Sequence, residues 1–291
     1  MKNIIAALAL DGGDDGVVAR AMQLAARHDA ALTLVHAMED TDFGDVEALG
    51  GMDAETVRAV VGRNAADRLA ALAGRAGVDA RQARIVAEGK ASDVIMDFAG
   101  ERRADLVIIG PGKRRNLREK AFGSTADRVV RAADVPVLIV RREGAAPYGR
   151  AIVAADLSPQ SLSASRAART LAPDAIIEHV HVVEMPLSFE QTLLQAGASK
   201  VEISRYRQAR LATARDRLKA VFADADGKAP MKLRLVQGDA RAVLVRQARR
   251  RDIDLIALGT HGRGVVSQML LGSVARHVAQ GAWCDVLLAP R

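Results

Sequence analysis

The sequence has very little of what staples or anchors a small secreted domain. It holds one cysteine, Cys284, so no intrachain disulfide can form, and a reducing compartment is the simplest setting. Aromatic residues make up only 3%. The cores must therefore be filled by Ala, Val, Leu and Ile, a composition suited to close helix–sheet layers. No apolar run reaches the roughly 20 residues that a membrane-spanning helix needs. The opening run, residues 3–10, follows Lys2 and has the look of a signal peptide. However, Asp11, Asp14 and Asp15 end it, no small-residue cleavage site follows, and a strand buried on both faces accounts for it. The expected location is the cytoplasm.

What is present points to two domains. The 291 residues are 49% apolar, enough for two filled cores of about 145 residues each, near the usual domain size. Residues 1–145 carry 21 Lys and Arg against 22 Asp and Glu, and residues 146–291 carry 21 against 13, so the net +7 comes from the second half. A basic half is compatible with nucleic acid. Here the arginines are scattered along helical segments such as 205–217 rather than interleaved with aromatics on a sheet. Even the densest run, Arg249-Arg250-Arg251, reads as a solvated face, and nucleic acid is not expected as a partner.

The halves repeat one another. At an offset of 145, Asp11 falls on Asp156, His36 on His181 and Glu39 on Glu184. At an offset of 149, Arg68-Leu69 falls on Arg217-Leu218, Gly89 on Gly238, Asp105-Leu106 on Asp254-Leu255, Gly110 on Gly259 and Gly123-Ser124 on Gly272-Ser273. One four-residue insertion in the second copy, between positions 39 and 68 of the first, reconciles the two offsets. The boundary falls in residues 144–150, which contain Pro147 and Gly149, giving domains 1–145 and 146–291.

Within the first copy the periodicity predicts strands at 3–10, 31–38, 83–87, 105–110 and 136–140. Helices are predicted at 16–28, 54–76, 91–103 and 124–133. The second copy repeats the strands near 151–155, 175–183, 232–236, 254–259 and 285–289. Five strands alternating with four helices imply a doubly wound α/β domain with a parallel sheet, twice over. In such sheets ligands bind beyond the carboxyl ends of the strands, where the strand order reverses.

The segment after the fourth strand of the second copy carries the chemistry. Residues 259–273 have the skeleton Gly, two residues, Gly, nine residues, Gly-Ser. Gly259 and Gly262 let backbone approach a ligand closely. Gly272-Ser273 opens a helix whose unpaired N–H groups favour phosphate oxygens. Glycines also serve tight turns, Gly-Ser is also an ordinary capping signal, and the loop lacks the Gly-Lys-Ser/Thr of a Walker loop. On spacing alone this is a candidate phosphate site.

The skeleton resembles the nucleotide motif of ATP-binding universal stress proteins. The resemblance covers both halves and includes the Asp after strand one, Val-His-Val-Val-Glu at 180–184 and the closing strand at 286–289. It implies tandem adenine-nucleotide alpha hydrolase-like domains. It assigns Asp156 and Val182 to adenosine, and Leu258, Gly259, Gly262, Gly272, Ser273 and Val274 to the loop contacts. ATP, alone or with Mg2+, is the implied cofactor. An intrachain pseudo-dimer through the closing strands and a homodimer are the implied assemblies. Asp156 also has a capping role open to it, at the helix starting near Ser158.

The first copy departs from the motif. Gly110-Pro111-Gly112-Lys113 places Lys113 where the second loop glycine should stand. A degenerate or nucleotide-free site is expected there, still shaped by Asp11, Ala37, Gly123, Ser124 and Thr125. Lys113-Arg114-Arg115 pairing with phosphates is the alternative. Among other residues, His179 and His181 share one face of a strand with no third ligand placed by the sequence, so no metal is expected. His261 lies in the loop, where a phosphate contact and plain polar surface are equal readings. Cys284 reads as buried and inert, and Ser158, Ser161, Ser163 and Ser165 as capping and surface.

The expected function is an ATP-binding, non-catalytic or slowly hydrolysing regulator of stress response. Alternatives are a ligand-free or lipid-binding scaffold, or an adenylyl-transfer enzyme on a related fold. The last needs His-x-Gly-His or Ser-Gly-Gly-x-Asp-Ser near strand one, where the sequence has Asp-Gly-Gly-Asp-Asp and Asp-Leu-Ser-Pro. Gly262→Lys reproduces in the second copy what the first already carries. Any loop strain from it is about 1–3 kcal/mol, within the stability of most domains. It should abolish ATP binding in a calorimetric titration while circular dichroism stays that of wild type.

Overall fold

The computed structural model describes residues 1–39, 53–75, 77, 83–112, 122–223, 232–261 and 271–290. The chain divides into two compact units, Met1–Pro147 and Tyr148–Arg291. Unit 1 runs β1 (Asn3–Ala7), α1 (Asp15–His28), β2 (Ala31–Met38), α2 (Ala54–Arg75), β3 (Ala83–Glu88), α3 (Ala91–Glu101), β4 (Leu106–Ile109), α4 (Ser124–Ala132) and β5 (Val137–Ile139). Unit 2 runs β6 (Arg150–Ala154), α5 (Pro159–Leu171), β7 (Ile176–Val183), α6 (Leu187–Gln195), α7 (Lys200–Ala223), β8 (Lys232–Gln237), α8 (Ala240–Ala248), β9 (Leu255–Gly259), α9 (Ser273–Gly281) and β10 (Asp285–Ala289).

In unit 1 the strands lie in the order β3-β2-β1-β4-β5, and in unit 2 in the order β8-β7-β6-β9-β10, every neighbouring pair within a unit parallel. Each unit is thus the doubly wound domain expected. β4 and β10 are buried at every position, as strands covered by helices on both faces must be. Unit 2 has a helix the periodicity did not predict, α6, in the connection that holds its four-residue insertion.

The same hydrogen bonds brace both copies. The carboxylate of Asp105 accepts from the amides of Lys2 and Asn3, and that of Asp254 from the amides of Gly149 and Arg150 at 2.9 Å each. Each acid thereby fixes where the first strand of its unit starts against the fourth. Glu39 Oε1 accepts from the Ala91 amide and Glu184 Oε1 from the Ala240 amide, at 3.4 and 2.7 Å. These pin the starts of α3 and α8 to the second strands. Gly89 and Gly238, just ahead of those helices, have φ near +133° and +138°, a region that favours glycine.

One equivalence differs from the expected repeat. The His36 Nδ1 donates to the Leu8 carbonyl and the His181 Nδ1 to the Ala155 carbonyl. Leu10 and Leu157 each follow with positive φ, 54° and 65°. These pairs are 147 residues apart, so the first strands match at 147, and Asp156 corresponds to Ala9 rather than to Asp11. Unit 1 spends residues 8–14 before its first helix where unit 2 spends only 155–158, and sequence identity alone aligned two aspartates on unequal loops.

In unit 1 the acid that ties strand end to helix start is Asp14, whose Oδ1 accepts from the Ala9 amide at 3.0 Å. Burial pushes the Asp14 carboxyl above its ordinary value of 3.8, against the Ala9 and Leu10 amides that pull it down. The folded state then holds this proton more tightly than the unfolded chain does. Asp14 accordingly favours folding below pH 3.8, and that contribution is lost as pH rises through its folded-state value. Asp14→Asn removes the titration and keeps an amide oxygen for the Ala9 amide. Urea unfolding across acid to neutral pH should show the stability difference moving in the variant's favour as pH rises. A difference independent of pH would contradict the buried carboxylate.

Candidate functional site

In unit 2 the order of strands reverses between β6 and β9. Their pairing ends at Val153 and Ala257, one residue short of the end of β6 and two short of the end of β9. Beyond that point the two strands lead to different helices, and a crevice of about 330 Å3 opens at their carboxyl ends. This is the place where open α/β sheets hold ligands.

Asp156, Val182, Leu258, Gly259, Gly272, Ser273 and Val274 all line this crevice; Gly262 lies outside the described residues. Val180, Val182, Leu244 and Leu258 supply apolar wall, and Ser158, Glu184 and Thr260 polar rim. Gly272 closes the loop by donating its amide to the Thr260 carbonyl at 2.8 Å, while the Thr260 amide donates to Ala289 O at 3.0 Å. The α9 helix starts at Ser273 and its first intrahelical bond runs from the Arg276 amide to the Gly272 carbonyl. The amides of Ser273, Val274 and Ala275 thus have no acceptor within the helix, and all three residues border the crevice. Amides so placed at the positive end of a helix suit an anion.

The carboxylates are engaged in holding the frame. Asp156 Oδ1 accepts from the Ser158 amide at 3.0 Å and from the Ser158 hydroxyl. The Ser158 hydroxyl oxygen in turn accepts from the Ser161 amide and caps α5. The capping role open to Asp156 is therefore filled, through Ser158. Glu184 anchors α8, whose own cap is Asp239, accepting from the Ala242 amide at 2.9 Å. His181 uses Nδ1 on the Ala155 carbonyl at 2.6 Å, and His261 sets its Nδ1 3.0 Å from the Thr260 hydroxyl.

Gly259 has a reason that spacing does not reveal. A Cβ there would stand 2.4 Å from Gln160 Cβ and 2.9 Å from the Gln160 carbonyl carbon. The approach of α5 by itself leaves no room for a side chain. At the matching Gly110 a Cβ would meet only the Val17 Cγ2, at 3.6 Å. Besides Ser158, which is buried as it caps α5, two of the serines expected as capping and surface are interior. Ser161 is buried, and Ser165 is fully buried with its hydroxyl 2.8 Å from His179 Nε2, beneath an edge-on contact of His179 with Phe222. Cys284 is buried.

In unit 1, Ala37 stands where Val182 does, paired with Ala87 as Val182 pairs with Val236. Gly123 again donates to the residue after the strand glycine, Pro111 O, at 3.3 Å. Pro111 has no amide to offer β5 in the way Thr260 serves β10. Lys113, Arg114 and Arg115 lie outside the described residues. Among the described residues no helix is long and apolar enough to cross a membrane.

The two units match a known sequence pattern separately. The profile of the universal stress protein family covers residues 1–141 and again 147–290. The chain belongs to that family. It is similar to universal stress protein A homolog 2 of Coxiella burnetii, 32% identical over 146 residues, 49% of this chain and 97% of that protein. A universal stress protein of Mycobacterium tuberculosis is 29% identical over 205 residues, 64% of this chain and 62% of that protein. Among solved structures, a putative universal stress protein from Pseudomonas aeruginosa superposes with a TM-score of 0.65 at 19% identity, covering 100% of this chain and 93% of that one. One from Archaeoglobus fulgidus superposes with 0.66 at 15% identity, covering 99% and 96%. At these identities the structures bear on the fold.

The contrast between the two strand glycines is measurable. Gly259→Ala should lower the stability of the family fold in unit 2 by about 1–3 kcal/mol, because Gln160 must shift to admit the methyl. Gly110→Ala should be neutral within about 0.5 kcal/mol. Urea denaturation of both variants checks this, and equal costs would refute the packing account of Gly259.

Proposed function

We propose that unit 2 binds one ATP in the crevice at the ends of β6 and β9, and that the protein is a cytoplasmic, nucleotide-responsive regulator of stress response rather than a catalyst. The observation that carries this is convergence. The loop residues, the residue after His181 and the acid after β6 are far apart in sequence, and they surround one crevice. Its volume falls in the range of small-molecule sites, roughly 300–1,000 Å3.

The residues present fit an adenine nucleotide. The amides at the start of α9, with the exposed Ser273 hydroxyl, suit phosphate oxygens. The apolar wall of Val180, Val182 and Leu244 suits a flat base, and Asp156 offers an acceptor beside it. Mg2+, where present, would arrive on the phosphates, since it keeps several waters and needs few protein ligands. ATP binding to unit 2 would favour whichever conformation binds it better, and through that its partners.

The case against catalysis rests on the same side chains. Each carboxylate on the crevice already accepts from the protein, Asp156 from Ser158 and Glu184 from Ala240. The His181 Nδ1 is taken by a carbonyl. None of these three is set as a general base for water, which favours binding over rapid hydrolysis.

Calorimetric titration should find one ATP per chain, and two equivalent sites would refute the degenerate reading of unit 1. Ser273→Asp gives a second measurement. An acid in the first turn favours the helix by about 0.3–1 kcal/mol, yet sets a negative charge against the phosphates. Thermal stability should hold or rise while ATP affinity falls by about tenfold or more. Unchanged affinity would remove α9 from the site.

A further inference from the structure

The single tryptophan of the chain is on the surface. Trp283, between α9 and β10, is 52% exposed, although folds usually cover most of so large an apolar side chain. It is nevertheless held in place. Its amide donates to the Ala248 carbonyl at 3.0 Å, which ties it to the end of α8. The Arg249 guanidinium carbon lies over its ring, 5.9 Å from the centroid, within cation–π range. Arg249 Nε donates to the Gly281 carbonyl at 2.9 Å. A Cβ on Gly281 would stand 2.9 Å from Val245 Cγ1, so the ends of α8 and α9 touch. Ring and arginine are thus positioned before any partner arrives, which lowers the ordering cost of binding.

The surroundings are basic. Arg246, one turn before Arg249 on α8, and Arg251, just after that helix, are exposed, as Arg249 is. Among the described residues none of these three arginines forms an ion pair. The acids near them in sequence are engaged elsewhere. Asp252 is paired with Arg250 at 2.7 Å and with Arg150 at 3.1 Å. Asp254 accepts from the amides of Gly149 and Arg150, and Asp239 from Ala242 and Arg241.

The fold does not demand this arrangement. At the offset of 149, Arg246, Arg249 and Trp283 correspond to Asp97, Gly100 and Asp134, and both aspartates are exposed. Unit 1 completes the same corner with acids and no aromatic ring. The stability of the domain therefore does not account for a tryptophan beneath an arginine in unit 2.

We propose that this corner of unit 2 docks an acidic peptide segment of a partner protein, with an apolar side chain on the Trp283 ring and carboxylates on Arg246, Arg249 and Arg251. Trp and Arg are the residues most often found at the energetic centre of protein interfaces, and guanidinium forks take carboxylates in bidentate pairs. A nucleic acid asks for more. Its affinity grows with the number of phosphates neutralised, and its bases need successive rings to stack on, whereas this corner has three arginines and one ring. None of the four residues lines the crevice, so the two surfaces can be tested apart.

As the only tryptophan, Trp283 is its own reporter. The full-length chain is titrated, without nucleotide, with a synthetic peptide of Asp and Glu around a central Leu-Phe pair. The peptide should shift the emission to shorter wavelength and shield the ring from acrylamide, with half-saturation between micromolar and submillimolar concentration. Binding should weaken by about tenfold or more at about 1 M salt, where screening acts within about 3 Å. The same peptide with Gln for every acid should not bind. Arg246→Glu with Arg251→Glu should weaken binding by about tenfold or more, and should favour instead the peptide with Lys for every acid. Arg249, which also holds Gly281, is left in place so that the fold is not at issue. Trp283→Ser, followed by the anisotropy of labelled peptide, should weaken binding as much. Circular dichroism establishes folding, and should Trp283→Ser not fold, the arginine pair decides. ATP titrations of the variants should match wild type, which separates this surface from the crevice. An emission unchanged at millimolar peptide overturns the proposal, as does a shift that the variants leave intact. So does a shift with protein concentration alone, which signals self-association, or tighter binding of a single-stranded oligonucleotide or anionic phospholipid vesicles that the same variants abolish.

Discussion

Parallel strands must be joined by crossovers, and the crossovers leaving β6 and β9 run in opposite directions across the sheet of unit 2. The backbone of β6 pairs with β9 only as far as Val153 and Ala257. Past that pair, one strand feeds α5 and the other feeds the loop to α9. Helix α5 packs on β6, β9 and β10 and shares a core with α7, while α9 packs on α8. Among the described residues no element fills the gap between the two strand ends, and the crevice is what remains. The contact of Gly259 with Gln160 and the closure of Gly272 on Thr260 both follow from how tightly the flanking helices approach that gap.

A second consequence concerns what the polar side chains do. Near the crevice most of them hold backbone in place: Asp156 and Ser158 start α5, Glu184 starts α8, and His181 fixes the end of β6. The groups left to meet a ligand are largely amides at a helix start and apolar wall. Such a lining is set by frame geometry more than by particular side chains.

Much of this was legible in the sequence because the repeat tests itself. Apolar runs bounded by Gly and Asp located the strands, and β2 and β10 have the predicted bounds. The Gly spacing led to the α9 start, and the His181–Glu184 run to the second wall. What failed had physical causes. Asp11 and Asp156 are the same residue type on loops of unequal length, and only the His36 and His181 bonds to the Leu8 and Ala155 carbonyls expose the true register. Ser165 looked like surface because nothing local signals that His179 lies opposite it. α6 was missed because nine residues of mixed polarity leave no periodic trace. The packing role of Gly259 was not legible because the approach of Gln160 is a tertiary fact.

The copies have also diverged inside, not only at the loop. Counted from the second strands, Ser165 of unit 2 corresponds to Arg20 of unit 1. Arg20 is buried, and its guanidinium donates to Gln23 Oε1, to Ala146 O at 2.7 Å and to Gly144 O at 3.1 Å. A buried arginine is tolerable only where its donors are met, and here the chain leaving β5 meets them with its carbonyls. The same segment lies against α1 so closely that a Cβ on Gly16 would be 3.0 Å from Arg142 O. Unit 1 thus uses its first helix to hold residues 142–146, where unit 2 uses the equivalent position to bury a serine against a histidine. A helix given to that task is less able to change without disturbing the connection it holds. Among the described residues the first helix of unit 2 holds no such connection; it packs on β6, β9 and β10 and shares a core with α7.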